Sequence, residues 1–162
     1  MSVNKHKPHV CVIPEDDATR QLANGFGLHP SLDINRFDLR PFTGGWLKTF
    51  DDSYIKDLRN YSARHLILLI DFDNRDVNER LNHLKKMFPP DIQERVYILG
   101  VYSEAEDLKR EFKKPFEEIG KILAEDCASG VTNSWSKELL KHNEHELDRL
   151  IASVKPFLFP ES

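Results

Sequence analysis

An uninterrupted apolar run that leads directly into acids is the feature of this sequence that most restricts its fold. Residues 66–70 read Leu-Ile-Leu-Leu-Ile, and Asp71, Phe72 and Asp73 follow at once. Apolar residues without alternation are typical of a strand whose two faces are both covered, as in a parallel sheet. The run therefore predicts a central strand over residues 65–70, with two carboxylates at its end.

Strand-like and helix-like segments alternate over the first two thirds of the chain. The patterns predict strands at 9–13, 37–42, 65–70 and 95–102, and helices at 16–28, 46–61, 76–88, 103–113, 115–127 and 134–154. Ser103 and Glu106 have the spacing of a capping box at the start of one helix. We therefore predict a single α/β domain over residues 1–162. Its core, about 9–110, is an open, mostly parallel, Rossmann-like four-stranded sheet flanked by helices, and about 111–162 form a C-terminal helical extension.

Composition excludes some classes of protein. The net charge of −4, with 40 % hydrophobic and 31 % charged residues, is typical of a soluble domain and disfavours a surface dedicated to duplex nucleic acid. The sequence has no apolar run of the roughly 18 residues that span a bilayer and no signal-peptide pattern at its start. We therefore expect a cytoplasmic protein without a membrane segment. Cys11 and Cys127 are expected to be buried thiols.

Acidic residues follow three of the predicted strands. Because the carboxyl ends of parallel strands meet at one edge of a sheet, these acids should converge there. Asp71 and Asp73 would face the same way if the strand continued through them. Carboxylates that converge need a cation, and hard oxygen ligands favour Mg²⁺ or Mn²⁺. The predicted metal ligands are Glu15, Asp71 and Asp73, with Asp16, Asp17 and Glu104 as additional candidates. Asp16 and Asp17 also suit helix capping, and Glu104 equally suits a first helical turn.

Two of these segments resemble a known family. They resemble the two motifs of the Toprim domain, which occurs in topoisomerases, bacterial primases and OLD-type nucleases. The first segment is Val12-Ile13-Pro14-Glu15 and the second is Leu69-Ile70-Asp71-Phe72-Asp73. The acids Glu15 and Asp71 are 56 positions apart. The resemblance covers about residues 9–110 and is closest to small, free-standing Toprim-like proteins. It implies that Glu15 is a general acid or base and that the Asp pair binds Mg²⁺. The chain departs from the family pattern at Asp16, where glycine is usual.

The resemblance implies a nuclease-like activity on phosphodiester or nucleotide phosphate bonds. Such a substrate requires cations, and we predict phosphate contacts from Arg75, Lys109 and Arg110. The partners that this interpretation leaves open are nucleic acid, a nucleotide and an ATPase-like protein. The oligomeric state is also left open.

Two other interpretations compete with this one. The sequence also resembles a response-regulator receiver domain. In that interpretation the acidic pocket is Glu15-Asp16-Asp17, the phosphoacceptor is Asp71 and the switch lysine is Lys114. However, only eleven positions separate Ser103 from Lys114, too few for the helix and fifth strand that a receiver requires there. Alternatively, the domain is a non-catalytic module that docks another protein through its tail, although apolar stripes such as that around Trp135 usually cover a core.

Overall fold

Four parallel strands form the centre of the molecule, as predicted. The computed structural model describes residues 3–160. The strands are β1 (His9–Pro14), β2 (Phe37–Leu39), β3 (Arg64–Asp71) and β4 (Val96–Val101), in the order β2-β1-β3-β4. β1 and β3 are neighbours, and their pairing extends past Pro14, because the N–H of Glu15 donates to the carbonyl of Leu69 at 2.9 Å. The ends of these two strands therefore lie side by side.

Six α-helices surround the sheet. They are α1 (Asp17–Gly27), α2 (Asp52–Asn60), α3 (Val77–Lys86), α4 (Ala105–Phe112), α5 (Phe116–Ser129) and α6 (Glu144–Leu158). Short 3₁₀ turns precede β2, α2, β4 and α6 at Ile34–Arg36, Trp46–Thr49, Gln93–Arg95 and Lys141–Asn143. None of the helices within residues 3–160 combines the length and the apolar character that crossing a bilayer requires.

The helices cover both faces of the sheet, which explains the unbroken apolar sequence of β3. On one face, Ile67 and its neighbours pack with α1, α5 and α6. On the other face, Leu66, Leu68 and Ile70 pack with α2 and α3. The C-terminal residues are therefore not a separate extension in space, because α5 and α6 complete the covering of one face.

Helices α1 and α5 are in unusually close contact through two glycines. A Cβ at Gly25 would lie 2.0 Å from the carbonyl oxygen of Glu117, and a Cβ at Gly120 would lie 2.1 Å from that of Leu22. Neither position can accept a side chain without separating the helices. This contact fixes the direction of α1, and α1 begins at the acidic end of β1.

Side chains at the start of α6 complete the hydrogen bonds of the exposed edge of β4. Asn143 accepts from the N–H of Gly100 at 3.0 Å and donates to its carbonyl at 2.9 Å. Glu146, which is 1 % exposed, accepts from the N–H of Ile98 and pairs with Lys85 and Arg149. An edge strand with unpaired groups is a template for aggregation, so these contacts protect β4.

Some sequence predictions about element boundaries were wrong. The helix predicted at 134–154 begins only at Glu144, because turns over residues 132–143 bring Asn143 to the edge of β4. The capping box of Ser103 and Glu106 is not formed, because Glu104 is the residue that precedes α4. The second strand is also shorter than predicted and ends at Leu39.

Candidate metal centre

The strand order places a crevice at the ends of β1 and β3. From β1 the chain passes to β2 on one side, and it then returns to β3 on the other side. In parallel α/β sheets, a reversal of this kind opens a crevice beyond the carboxyl ends of the two strands, where ligands bind. Glu15 follows β1 directly and Asp71 ends β3. The topology therefore brings these two predicted site residues together.

Three carboxylates meet in this crevice. One oxygen atom from each of Glu15, Asp16 and Asp71 lies within 4.8 Å of the other two. The N–H of Asp71 also donates to Glu15 Oε1 at 3.4 Å. Oxygen atoms at this separation can converge on a divalent cation, which is bound at about 2.0 to 2.6 Å. The three acids have the donor chemistry that Mg²⁺ or Mn²⁺ requires.

Asp71 is buried, and one of its two carboxylate oxygen atoms has no hydrogen-bond partner. The residue is 5 % exposed, and its Oδ1 atom has no hydrogen-bond partner. Burial, followed by the charges of Asp16, Glu15 and Asp73, raises the pKa of Asp71 to about 8, although a hydrogen bond from the N–H of Ala105 opposes the rise. A buried carboxylate in this state is held as the neutral acid near pH 7 unless a cation compensates its charge.

Glu15 is half-buried and shares the same electrostatic environment. Burial raises its pKa to about 7, and the charges of Asp16 and Asp73 add to this effect. The hydrogen bond from the N–H of Asp71 and the charge of Arg80 act in the opposite direction. A carboxylate with a pKa near 7 can both take up and release a proton at neutral pH, as a general acid or base must.

Asp16 has two structural roles at once. Its Oδ1 atom accepts from the N–H and the hydroxyl group of Thr19, each at 2.9 Å, and it thereby caps α1, as the sequence predicted. Asp16 is also the third member of the acidic group. The negative charge at this position is stabilised by the start of α1.

Asp73, which the sequence predicted as a metal ligand beside Asp71, lies outside the group of three. The strand ends at Asp71, and both Asp73 and Asn74 adopt left-handed backbone conformations, with φ of 53° and 58°. The side-chain alternation of a strand therefore does not continue to Asp73. Its carboxylate accepts from Arg80 at 2.9 Å instead.

Arg80 is a residue of this region that the sequence prediction missed. Its NH1 atom donates to the main-chain carbonyl of Asp71 at 2.8 Å as well as to Asp73, and its guanidinium group lies 4.6 Å from the ring centre of Trp46. Arg80 follows the cap residue of α3, Asp76, by one helical turn. That position after an acidic strand end was the only signal in the sequence.

The other predicted site residues lie on the surface, and three of them contact other side chains. Asp17 begins α1 and accepts from Arg20 and Gln21. Glu104 precedes α4 without forming a cap. Lys109 lies over the ring of Phe116, and Arg110 pairs with Asp107. Arg75 is exposed in the turn after β3. Phosphate binding by Arg75, Lys109 and Arg110 stays a prediction.

The residues of the competing interpretations also have definite positions. Lys114 lies between α4 and α5, 4.0 Å from Glu118, and the described residues contain no fifth strand that could present it to Asp71. In the tail, Trp135 donates to the carbonyl of Leu123, and Phe159 is buried against the sheet. These tail residues are therefore part of the core packing.

Comparisons with known proteins identify no relative. No protein-family model matches the chain, and no curated protein or solved structure matches it significantly. The acidic crevice is therefore the feature from which a function can be inferred.

Proposed function

We propose that this is a Toprim-like protein that binds Mg²⁺ or Mn²⁺ through Glu15, Asp16 and Asp71 and acts on phosphodiester or nucleotide phosphate bonds. The observation that carries the proposal is the convergence of Glu15 and Asp16 on the almost fully buried Asp71, one of whose oxygen atoms has no partner. Acidic clusters on surfaces are common. A buried carboxylate that faces two others at the ligand-binding end of a parallel sheet is ionised at neutral pH only when a cation compensates its charge.

The chemistry of the crevice suits phosphoryl transfer. A divalent cation held there would stabilise negative charge on a phosphoryl oxygen. Glu15, the carboxylate that follows β1 directly, would remove the proton from an attacking hydroxyl group or water, or supply one to the leaving oxygen. Arg80 would keep Asp73 turned away from the cation and fix the end of β3 through the carbonyl of Asp71. Arg80 is thus proposed as a positioning residue.

Metal binding can be tested by thermal unfolding of the whole protein with Mn²⁺ or Mg²⁺ after treatment with EDTA. We expect the cation to raise the melting temperature of the wild type, because it binds only the folded state. Asp71→Asn should abolish this rise. Asp16→Asn keeps a side-chain oxygen for capping and should weaken the response without unfolding α1.

Asp73→Asn is the matched control, because it removes the same charge two positions away, from a side chain that is paired with Arg80. We expect this variant to keep most of the metal response. An equal rise in wild type and Asp71→Asn, or no rise in the wild type at millimolar Mn²⁺, would eliminate the proposed metal centre.

Catalysis needs a separate test. Glu15→Gln preserves the shape of the side chain but cannot transfer the proton. We expect wild type with Mn²⁺ to cleave single-stranded nucleic acid or a nucleotide phosphodiester, and Glu15→Gln to lose at least about 100-fold of the rate, the usual contribution of a general acid or base. Cleavage that survives in Glu15→Gln would show that Glu15 has no such role.

A further inference from the structure

Large apolar side chains are exposed beside the acidic crevice. Within residues 3–160, six large hydrophobic residues are substantially exposed, and three of them follow strands at the carboxyl edge of the sheet: Phe42 and Leu47 after β2, and Tyr102 after β4. Phe42 is 50 % exposed. Isolated exposed hydrophobic residues are normal, but Phe42 and Leu47 belong to one loop that follows β2 at the edge where parallel sheets bind ligands.

Phe42 and Leu47 belong to residues 40–50, which we call the glycine loop. This loop is tied to the end of β1 by three backbone hydrogen bonds. Arg40 donates to Val12 at 3.0 Å, Thr43 to Pro14 at 3.1 Å and Gly44 to Glu15 at 2.7 Å. The last of these bonds attaches the loop to the main chain of a residue whose side chain belongs to the metal centre. The loop therefore borders the crevice.

The centre of the glycine loop is open to a ligand. Gly44 has φ of +98°, a conformation that other residues rarely adopt. A Cβ built at Gly44 or at Gly45 would meet no atom within 4 Å. Glycine is thus not required there for packing against the rest of the protein. The space beside these two residues is available to a molecule that approaches the metal centre.

The far end of the glycine loop is fixed. Trp46 packs into the core between the sheet and α3, and its ring lies over Arg80 and 5.6 Å from the ring of His83. Through Arg80, the loop is connected to the carbonyl of Asp71. The loop is therefore held to the end of β1 by backbone hydrogen bonds and at Trp46 by side-chain packing, and the exposed Phe42 lies on this supported segment.

We infer that the glycine loop binds an unpaired nucleobase whose phosphate lies at the metal centre, and that Phe42 supplies the ring on which the base stacks. The inference rests on the proposed function and specifies its substrate. A base has flat apolar faces and lies next to a phosphate, which matches an exposed aromatic residue two positions before the glycine whose N–H donates to the carbonyl of Glu15. Stacking of this kind accepts any base but requires one that is unpaired. Lys48 and Arg75, both exposed at the same edge, supply cations for the backbone.

The test is binding of a fluorescein-labelled single-stranded oligonucleotide of about ten nucleotides, measured by fluorescence anisotropy with Ca²⁺ in place of Mn²⁺ to prevent turnover. Phe42→Ala should weaken binding by roughly 5- to 150-fold, the range found when one stacking residue is removed. Phe42→Trp should restore it. Leu28→Ala is the matched control, because Leu28 is also 50 % exposed but follows α1 at the opposite edge. It should bind as wild type.

Two further measurements separate this inference from the proposed function. The Mn²⁺-dependent rise in melting temperature should be the same in Phe42→Ala as in wild type. The oligonucleotide annealed to its complement should bind more weakly than the single strand, whereas thymidine monophosphate should compete for the site if a single base and phosphate suffice. Wild-type affinity in Phe42→Ala would refute the inference. If the wild type binds Mn²⁺ but neither the oligonucleotide nor the nucleotide, the base-binding inference is refuted and the metal centre is not. If the wild type binds no metal, the metal centre itself is refuted.

Discussion

The metal-free protein should lose stability as the pH rises, because Asp71 holds its proton more tightly when folded than when unfolded. Its pKa is raised from 3.8 to about 8 by burial and by the neighbouring acids. A raised pKa contributes stability that is fully present below pH 3.8 and is lost as the pH rises through about 8. The wild type with EDTA should therefore become easier to unfold between about pH 6.5 and about pH 8.5.

The size of this loss follows from the slope of the linkage relation. While the unfolded state is ionised and the folded state is not, the free energy of unfolding falls by about 1.36 kcal/mol for each pH unit. Between about pH 6.5 and about pH 8.5, Asp71 alone should therefore lower the free energy of unfolding by roughly 2 kcal/mol. The loss is smaller than the full slope over this range, because the slope vanishes above the folded pKa of Asp71. Glu15, with a pKa of about 7, adds a smaller loss in the same direction.

This pH range avoids most of the other groups that titrate. Burial lowers the pKa of His9, His65 and His142, so their effect on stability lies mainly below pH 6.5, the ordinary pKa of histidine. Burial also raises the pKa of the thiols of Cys11 and Cys127 from 9.0, so their effect lies mainly above the range. The slope therefore reports chiefly on the acidic crevice.

Urea unfolding of wild type, Asp71→Asn and Asp73→Asn in EDTA at the two pH values measures the effect. We expect the difference in unfolding free energy between wild type and Asp71→Asn to change by about 2 kcal/mol in favour of the variant at the higher pH. Asp73→Asn should keep most of the wild-type slope, because the charge of Asp73 contributes less to the raised pKa of Asp71 than burial, Asp16 and Glu15 do. Identical slopes in wild type and Asp71→Asn would show that Asp71 is not held as the neutral acid.

Two further predictions concern the contacts that position the crevice. Gly120→Ala should lower the free energy of unfolding by about 1 to 3 kcal/mol in the same urea titration, because its Cβ would lie 2.1 Å from a carbonyl oxygen of α1. Gly45→Ala is the control, because a Cβ there would lie in open space, and it should change this free energy by less than about 0.5 kcal/mol. Glu146→Ala should cost about 1.5 to 3 kcal/mol, because it leaves two partly buried cationic groups and the N–H of Ile98 in β4 without their partner. Glu138→Ala, which removes an exposed carboxylate from a surface pair, is its control and should unfold like the wild type by thermal denaturation. A loss in Glu146→Ala no larger than in Glu138→Ala would contradict the proposed role of the edge contacts.

The sheet was predictable from the sequence because its cause is local. The apolar run of β3 has no alternation, and only a strand covered on both faces by helices has that pattern. The start of α6 was not predictable in the same way. Residues 134–143 contain the apolar spacing of a helix, but Asn143 satisfies the polar groups of Gly100, which is 43 positions away. A pairing over that distance leaves no mark in a local pattern.

The acidic crevice was predictable in part for the same reason. Glu15 and Asp71 meet because β1 and β3 are neighbours in the sheet. The alternation of strands and helices predicts that the strands are parallel and that their acids share one edge, but it does not fix the strand order. The exclusion of Asp73 depends on two consecutive left-handed residues and on Arg80. Aspartate and asparagine accept that conformation more readily than most residues, but they do not require it, so the sequence could not decide the direction of the side chain.

Two buried carboxylates, Glu146 and Asp71, differ in how the protein compensates their charge. Glu146 is almost fully buried, and the fold supplies it with two cationic side chains and a backbone N–H. Asp71 is almost as deeply buried, but Arg80 contacts its main-chain carbonyl and no ion pair to its carboxylate is found among residues 3–160. Instead, the charges that act on its pKa are those of neighbouring acids, which raise it. The same fold thus supplies one buried carboxylate with cationic partners and leaves the other without one, at the point where a parallel sheet binds its ligands, and this difference is why we propose a cation there.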